Sequence, residues 1–298
     1  SYYSPFLSSI YAVLESVAKV YAVGGNKDSL YFSFQEYFEK LGTDSTKWAK
    51  VTQSLLGSIY AQKEIGRPSI GGKDSMSGTF NDLNVVETLI SFACTPVKIA
   101  DVITPELKQV GNRLYYVPVE KDEKGYPDIK KTLENYELVH KYIKEGKIVS
   151  AYVQEEGSIA ASLVKMSLGN DLGFEVEKEN ILNFDPASLV VEATVELPFE
   201  KLGKVSERII INNEVFMHKD IYEAYTKTLN KVYPLYQNED KGNVENLHTE
   251  YKEKKYYPEY VENVKVVIPV FPGTNCEYDS EKAFLEAGAT PITVVIRN

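Results

Sequence analysis

Residues 67–80 read RPSIGGKDSMSGTF. A proline leads into the paired glycines Gly71 and Gly72, and Lys73, Asp74, Ser75 and Ser77 follow at once. Paired glycines let the backbone turn sharply and approach a ligand with no Cβ in the way. The cluster behind them suits a phosphate-bearing substrate. An ammonium supplies charge, hydroxyls and backbone N–H groups meet the oxygens, and a carboxylate can take a metal or a sugar hydroxyl. On these residues alone, a polar turn between a helix and a strand accounts for the same letters, because short glycine motifs recur in turns.

Upstream, Ser4-Pro5 pairs an N-cap with a proline at the first helical position. Ile10, Val13, Leu14, Val17 and Val20 then recur at helical spacing until Gly24-Gly25. No strand precedes this helix, so the chain is expected to begin inside a domain. Residues 30–41 and 46–65 read as two more helices, divided by Gly42 and capped by Thr43 or Ser45. Downstream, residues 85–94 (VVETLISFAC) read as a central strand buried on both faces. Strands are predicted at 112–119, 148–153, 189–197 and 208–211, and helices at 129–145, 157–168 and 221–232. Residues 121–128 form a charged loop, and Asn212-Asn213 is a hairpin turn that requires positive φ. Residues 234–263 are polar, rich in Tyr, Lys and Glu, and read as a surface linker. Beyond it, 264–271 (VKVVIPVF), a helix at 280–287 and a strand at 291–296 make one βαβ unit, the opening of a doubly wound domain.

With 298 residues the chain is long enough for two ordinary domains. Its formal net charge of −10 argues against general nucleic-acid binding and against an anionic membrane surface, so any phosphate site is a local exception. No apolar run is long enough to cross a bilayer. The opening residues SYYSPFLSSI lack the charged start and cleavage pattern of a signal peptide. Two cysteines, Cys94 and Cys276, make neither a disulfide framework nor a zinc motif, and a reducing cytoplasm is the expected compartment. Cys94 reads as a small buried hydrophobe on its strand. His140, His218 and His248 stand in polar surroundings and read as surface histidines, and no metal ligand set is predicted.

Two segments point to one family. GGKDSMSGTF, followed by an apolar strand, resembles the second half of the synthetase region of the phosphoribosylformylglycinamidine synthases, in their large single-chain form. VVIPVFPGTNCEYDSEKAFLEAGA is similar to the first strand, loop and helix of that family's glutamine amidotransferase domain. The resemblance is best at 52–105, 138–175 and 264–290, and weak at 1–45 and 197–262. It implies an α/β (α+β) fold with mixed synthetase-type sheets, followed by the start of a doubly wound amidotransferase domain. By the same resemblance, 1–105 is the end of a second A part, 110–233 a second B part, 234–263 the linker and 264–298 the incomplete amidotransferase domain. The family converts formylglycinamide ribonucleotide to its amidine in purine biosynthesis, using ATP, magnesium and glutamine. Alone, this chain is expected to lack that activity, to hold no cofactor tightly, and, because of exposed strand edges, either to self-associate or to be disordered near its C-terminus. The remaining domains of the polypeptide are the expected partners. A non-catalytic scaffold or partner-binding module of the same fold is the alternative.

Residue by residue, Gly71, Gly72, Lys73, Asp74 and Ser75 match the family's substrate loop. Lys73 and Ser75 are expected to touch the substrate's phosphate or ribose, and Asp74 to steady Lys73 or accept a ribose hydroxyl; Ser77 lies alongside. A second, magnesium-held nucleotide site of the family is expected to be lost here. Val153 stands where its metal carboxylate would be, Val13 and Val17 fall where an acid–amide pair would be, and valine offers no oxygen to a hard cation. Glu155 and Glu156 read as a solvated cap of the next helix. Gly273, Thr274, Asn275 and Cys276 are implied as neighbours of the amidotransferase pocket. Cys276 is not the nucleophile, which the family places on a later elbow.

Overall fold

In the computed structural model the described residues are 4–155, 157–234 and 261–297. They belong to two compact units, residues 1–237 and 238–298. The first unit opens with α1 (Pro5–Ala22), capped by Ser4, whose Oγ accepts from the Leu7 amide at 3.3 Å. Its Ile10, Val13, Leu14, Val17 and Val20 are buried, as their spacing predicts.

Residues 30–41 depart from expectation. They form a strand, β1 (Tyr31–Tyr37), not a helix. Leu30, Phe34, Phe38 and Leu41 mimic a helical period, but the Tyr/Phe alternation also suits a strand, and tertiary pairing decides the matter. Then come α2 (Ser45–Ile65), β2 (Ser69–Ser75), a short hairpin of β3 (Thr79–Phe80) and β4 (Leu83–Asn84), and β5 (Thr88–Cys94). The cap of α2 is Asp44, which accepts from the Thr46 amide at 2.9 Å, and not the flanking Thr43 or Ser45.

These strands build a three-stranded sheet in the order β2-β1-β5, parallel for β1 with β2 and antiparallel for β1 with β5. The central strand is therefore β1, and β5 is an edge. One face of β5 packs Leu89 and Ala93 on the core, while Ile90 and Phe92 are exposed on the other. The expectation of burial on both faces is corrected, because helices cover a single face of this sheet. Cys94 lies on the open face and is exposed, not buried.

The rest of the unit contains β6 (Arg113–Val117), α3 (Ile129–Lys144), β7 (Ile148–Val153), α4 (Ser158–Leu168), β8 (Gly173–Val176), β9 (Leu189–Ala193), β10 (Glu200–Ser206), β11 (Ile209–Ile211), β12 (Glu214–Phe216) and α5 (His218–Asn230). Seven of these strands form a mixed sheet in the order β12-β11-β8-β10-β6-β9-β7. Side-chain alternation divides its apolar residues between two cores. Tyr115, Val117, Leu189 and Val191 face α1 and α3, whereas Leu114, Tyr116 and Val190 face α4. Covered on both sides, β9 is buried throughout. Asn212 and Asn213 turn the β11–β12 hairpin at φ of 50° and 68°, as the sequence predicts. The strands β8, β10 and β12 carry short or polar patterns that the sequence reading passes over. The helix-side core runs without a break from Phe32 on β1 to Ala193 on β9.

In the second unit, β13 (Lys265–Val270), α6 (Glu277–Glu286) and β14 (Thr290–Val295) form the expected parallel βαβ arrangement. Only Ile268 of β13 is buried, because two strands and one helix leave both sheet faces partly open. Helix α6 starts at Glu277, earlier than predicted. Most of the predicted linker, residues 235–260, lies outside the described residues.

Candidate functional site

Gly71, Gly72, Lys73, Asp74 and Ser75 lie on a strand and not in a turn, which corrects the loop expectation. The register on β1 is Gly71 with Ser33, Gly72 with Phe34, Lys73 with Gln35, Asp74 with Glu36 and Ser75 with Tyr37. Gly72 is needed for close approach, since a Cβ there would stand 2.1 Å from the Phe34 carbonyl oxygen. No such neighbour exists at Gly71, where a Cβ would meet open space. Ser77 lies just beyond the strand, its carbonyl accepting from the Thr79 amide at 2.8 Å.

A strand sends successive side chains to opposite faces. Lys73 and Ser75 therefore point to one side and Asp74 to the other. The Lys73 ammonium stands 4.4 Å from the centre of the Tyr37 ring, a cation–π contact, and has no salt-bridge partner among the described residues. Asp74 meets Glu36 beneath α2. Glu36 is only 3% exposed and accepts from the Ser54 hydroxyl at 2.6 Å; Ser54 in turn bonds Ser9 of α1 at 2.9 Å. Burial pushes the Glu36 carboxyl up, the Ser54 bond pulls it down, and the facing Asp74 adds to the rise. Asp74 thus partners Glu36 and does not hold Lys73. Phe34, Leu55, Ser58 and Ser69 join these residues around a depression of about 230 Å³.

The valine positions lie elsewhere. Val13, Val17 and Val153 are all buried in one apolar core. Next to them Gln154 is buried, donating to the Asn183 carbonyl at 3.0 Å and accepting from Ser188 at 2.9 Å. Glu155 does not cap α4; the cap position is Gly157, with no side-chain bond. Instead its carboxylate lies 2.8 Å from Lys19 and 3.3 Å from Lys165. Burial pushes against ionisation, yet the two ammonium groups hold Glu155 below the usual carboxylate range. Glu156 lies outside the described residues.

His140 packs edge-on against Tyr21, and His218 is half-sheltered with Nδ1 3.3 Å from the Asp171 carboxylate, so neither is the simple surface histidine expected. His248 lies outside the described residues. His218 borders a cavity of about 660 Å³ with Arg208, Phe216 and Tyr222, which the sequence reading missed because its residues are scattered over three elements. Among the described residues, no group of three or more His, Cys, Asp or Glu side chains could hold a metal ion, and no helix is long and apolar enough to cross a membrane.

In the second unit, Gly273 has φ of 86°, and Thr274 accepts from the Phe271 amide at 3.0 Å through Oγ1. Asn275 leads into Cys276, the N-cap of α6 at φ of 66°, which is a free and exposed thiol. Its carbonyl accepts from the Ser280 amide at 3.0 Å.

No family model matches the chain, and no curated protein matches it. Solved structures do. Thermotoga maritima PurL complexed with ATP superposes with a TM-score of 0.55 at 13% identity, over 72% of this chain and 40% of that one. The same protein complexed with FGAR gives a TM-score of 0.52 at 14% identity, over 72% and 42%. Phosphoribosylformylglycinamidine synthase II from Thermotoga maritima gives 0.50 at 19% identity, over 66% and 31%. The chain therefore spans about two fifths of the length of the first of these, and what it shares with them is the fold.

Proposed function

We propose that this chain is the substrate-side portion of an ATP- and glutamine-dependent carbon–nitrogen ligase that converts formylglycinamide ribonucleotide to the amidine. The observation that carries the reading is the edge strand β2, with the Lys73 ammonium and the Ser75 hydroxyl on one accessible face beside the backbone of Gly71 and Gly72. An ammonium with no salt-bridge partner among the described residues and a hydroxyl on the same strand face form a receptor for a phosphate monoester. Support comes from the fold shared with a PurL that is complexed with ATP and with FGAR. In the reaction, the substrate amide oxygen attacks the γ-phosphorus of ATP and ADP leaves. Ammonia from glutamine then attacks the amide carbon of the phosphorylated intermediate, and its C–O bond breaks as inorganic phosphate departs with the former amide oxygen. The role assigned to Lys73 and Ser75 is to hold the distal phosphate, so that the amide is presented in a fixed place.

Substituting Lys73 by Ala in the full-length protein is expected to lower kcat/KM for the ribonucleotide roughly 10- to 150-fold, the loss of one charge-assisted bond. Unchanged turnover together with an unchanged KM would remove this reading.

One observation favours a second reading for part of the molecule. Val13, Val17 and Val153 share a dry apolar core and present no oxygen ligand, so these residues do not fit a magnesium-held nucleotide. On this reading the chain's second nucleotide site is a purely structural scaffold. Titrating the purified chain with ADP and Mg²⁺ is expected to give no saturable binding; a tight complex at one nucleotide per chain would overturn it.

A further inference from the structure

Strand β2 has a weak hold on the fold. It is an edge strand with β1 as its ladder partner, and every one of its residues is exposed or half-exposed. Little apolar burial keeps it in register, so its attachment depends on polar contacts. One of these contacts reaches a buried group: Glu36 of β1, 3% exposed, stands directly opposite the exposed Asp74 in the parallel register. Two ionised carboxylates opposed in this way would repel and push the edge strand outward. With a proton on one of them, the same pair becomes a carboxylic acid donating to a carboxylate, a short and strong bond.

We propose that Glu36 is a positioning residue that shares a proton with Asp74 and so latches β2, with Lys73 and Ser75 on its outer face, against α2. The effect of the latch on ligand binding rests on the phosphate-site reading given above; the latch itself does not. The surroundings leave Asp74 as the titratable group that faces Glu36. On β5 the residue opposite Glu36 is Leu89, α2 offers Ser54, Ser58 and Leu55, and α1 offers Ser9. Lys73 lies over Tyr37 on the other face, and Lys50 of α2 is engaged by Glu39 and Glu87. Burial and the facing carboxylate both favour the protonated acid. As pH rises through its titration the proton leaves, the pair repels, and β2 loosens together with the groups it carries.

The test uses the full chain. The carboxyl carbon of Glu36 is followed by NMR across about pH 3 to 9, and amide exchange of residues 69–75 is measured over the same range after correction for the intrinsic rate. The expected midpoint lies above the ordinary glutamate value of about 4.3, falls in Asp74→Asn and rises in Ser54→Ala. Protection of 69–75 is expected to drop with rising pH in the native chain and to become flat in Glu36→Gln. A native midpoint at or below the ordinary value overturns the latch, as does a Glu36→Gln exchange profile identical to the native one. Should Glu36→Gln fail to fold, the native and Ser54→Ala titrations decide. Ribose 5-phosphate binding is measured in parallel. If it is absent at every pH while exchange behaves as expected, the phosphate reading falls and the latch stands. Binding with a pH-independent affinity overturns the latch's influence on the site.

Discussion

Glycine 72 and lysine 73 are adjacent in sequence and serve unrelated purposes. Gly72 exists for packing, since the Phe34 carbonyl occupies the space a Cβ would need. Gly72→Ala is expected to destabilise the fold by about 1–3 kcal/mol, the usual range for an overpacked or strained site. Gly71→Ala should be close to neutral, and chemical denaturation of the two variants side by side makes the comparison. Lys73 lies over the Tyr37 ring and has no salt-bridge partner among the described residues. A different kind of residue, Glu192, escapes sequence reasoning altogether. It is fully buried on β9 and accepts from the Lys108 amide at 2.8 Å, the Gln109 amide at 3.1 Å and Asn112 Nδ2 at 2.6 Å. Nothing in its local sequence marks it, because its partners lie some eighty residues upstream. Around the valine core, Lys19 of α1 bridges Glu15 and Glu155, the latter just beyond β7, at a half-exposed site, so its loss is expected to cost less than about 1 kcal/mol.

Among the elements, those with a strong local signal came out as read. Helix α1 has an N-cap, an N1 proline and an apolar period, all of which act within one segment. Ser4→Ala is expected to lower stability by about 1 kcal/mol, visible as a shift in the denaturation midpoint. Strands β1, β2 and β5 were misread in three different ways, for one reason. Whether Phe34 continues a helix, whether Gly71–Gly72 turns, and which strand is central all depend on the pairing of segments far apart in sequence. A polar, glycine-containing strand such as β2 has almost no intrinsic β preference; its ladder bonds to β1 impose the conformation. Gly71–Ser75 were therefore legible as a cluster of polar and glycine residues, while their division between two strand faces was not.

At the scale of the whole molecule, two kinds of carboxylate set the pH response. Glu106, Glu155 and Glu87 are held below their ordinary range by ammonium partners, against the opposing cost of burial. Their contribution is present above the unfolded value of about 4.3 and disappears as pH falls through their lowered folded values. Glu36 has the opposite sign, because the folded chain binds its proton more tightly than the unfolded chain does. Its contribution is fully present at low pH and declines as pH rises from about 4.3 through its folded value. Stability against urea is therefore expected to fall on the acid side and, more gently, on the way to neutrality, and Glu36→Gln should remove the second slope alone. The open face of the three-stranded sheet, with Tyr31, Ile90 and Phe92 exposed, is expected to drive concentration-dependent self-association. Sedimentation of native and Phe92→Lys chains checks this, and a native chain that stays monomeric at every concentration contradicts it. By itself the amino-acid sequence determined the helices with caps, the βαβ order of the second unit and the identity of the Gly71–Ser75 cluster, since capping, period and side-chain chemistry act over a few neighbouring residues. Strand order, the covered and open faces of each sheet, and the opposition of Glu36 to Asp74 were decided only by tertiary pairing, where backbone ladders and burial join residues that no local pattern connects.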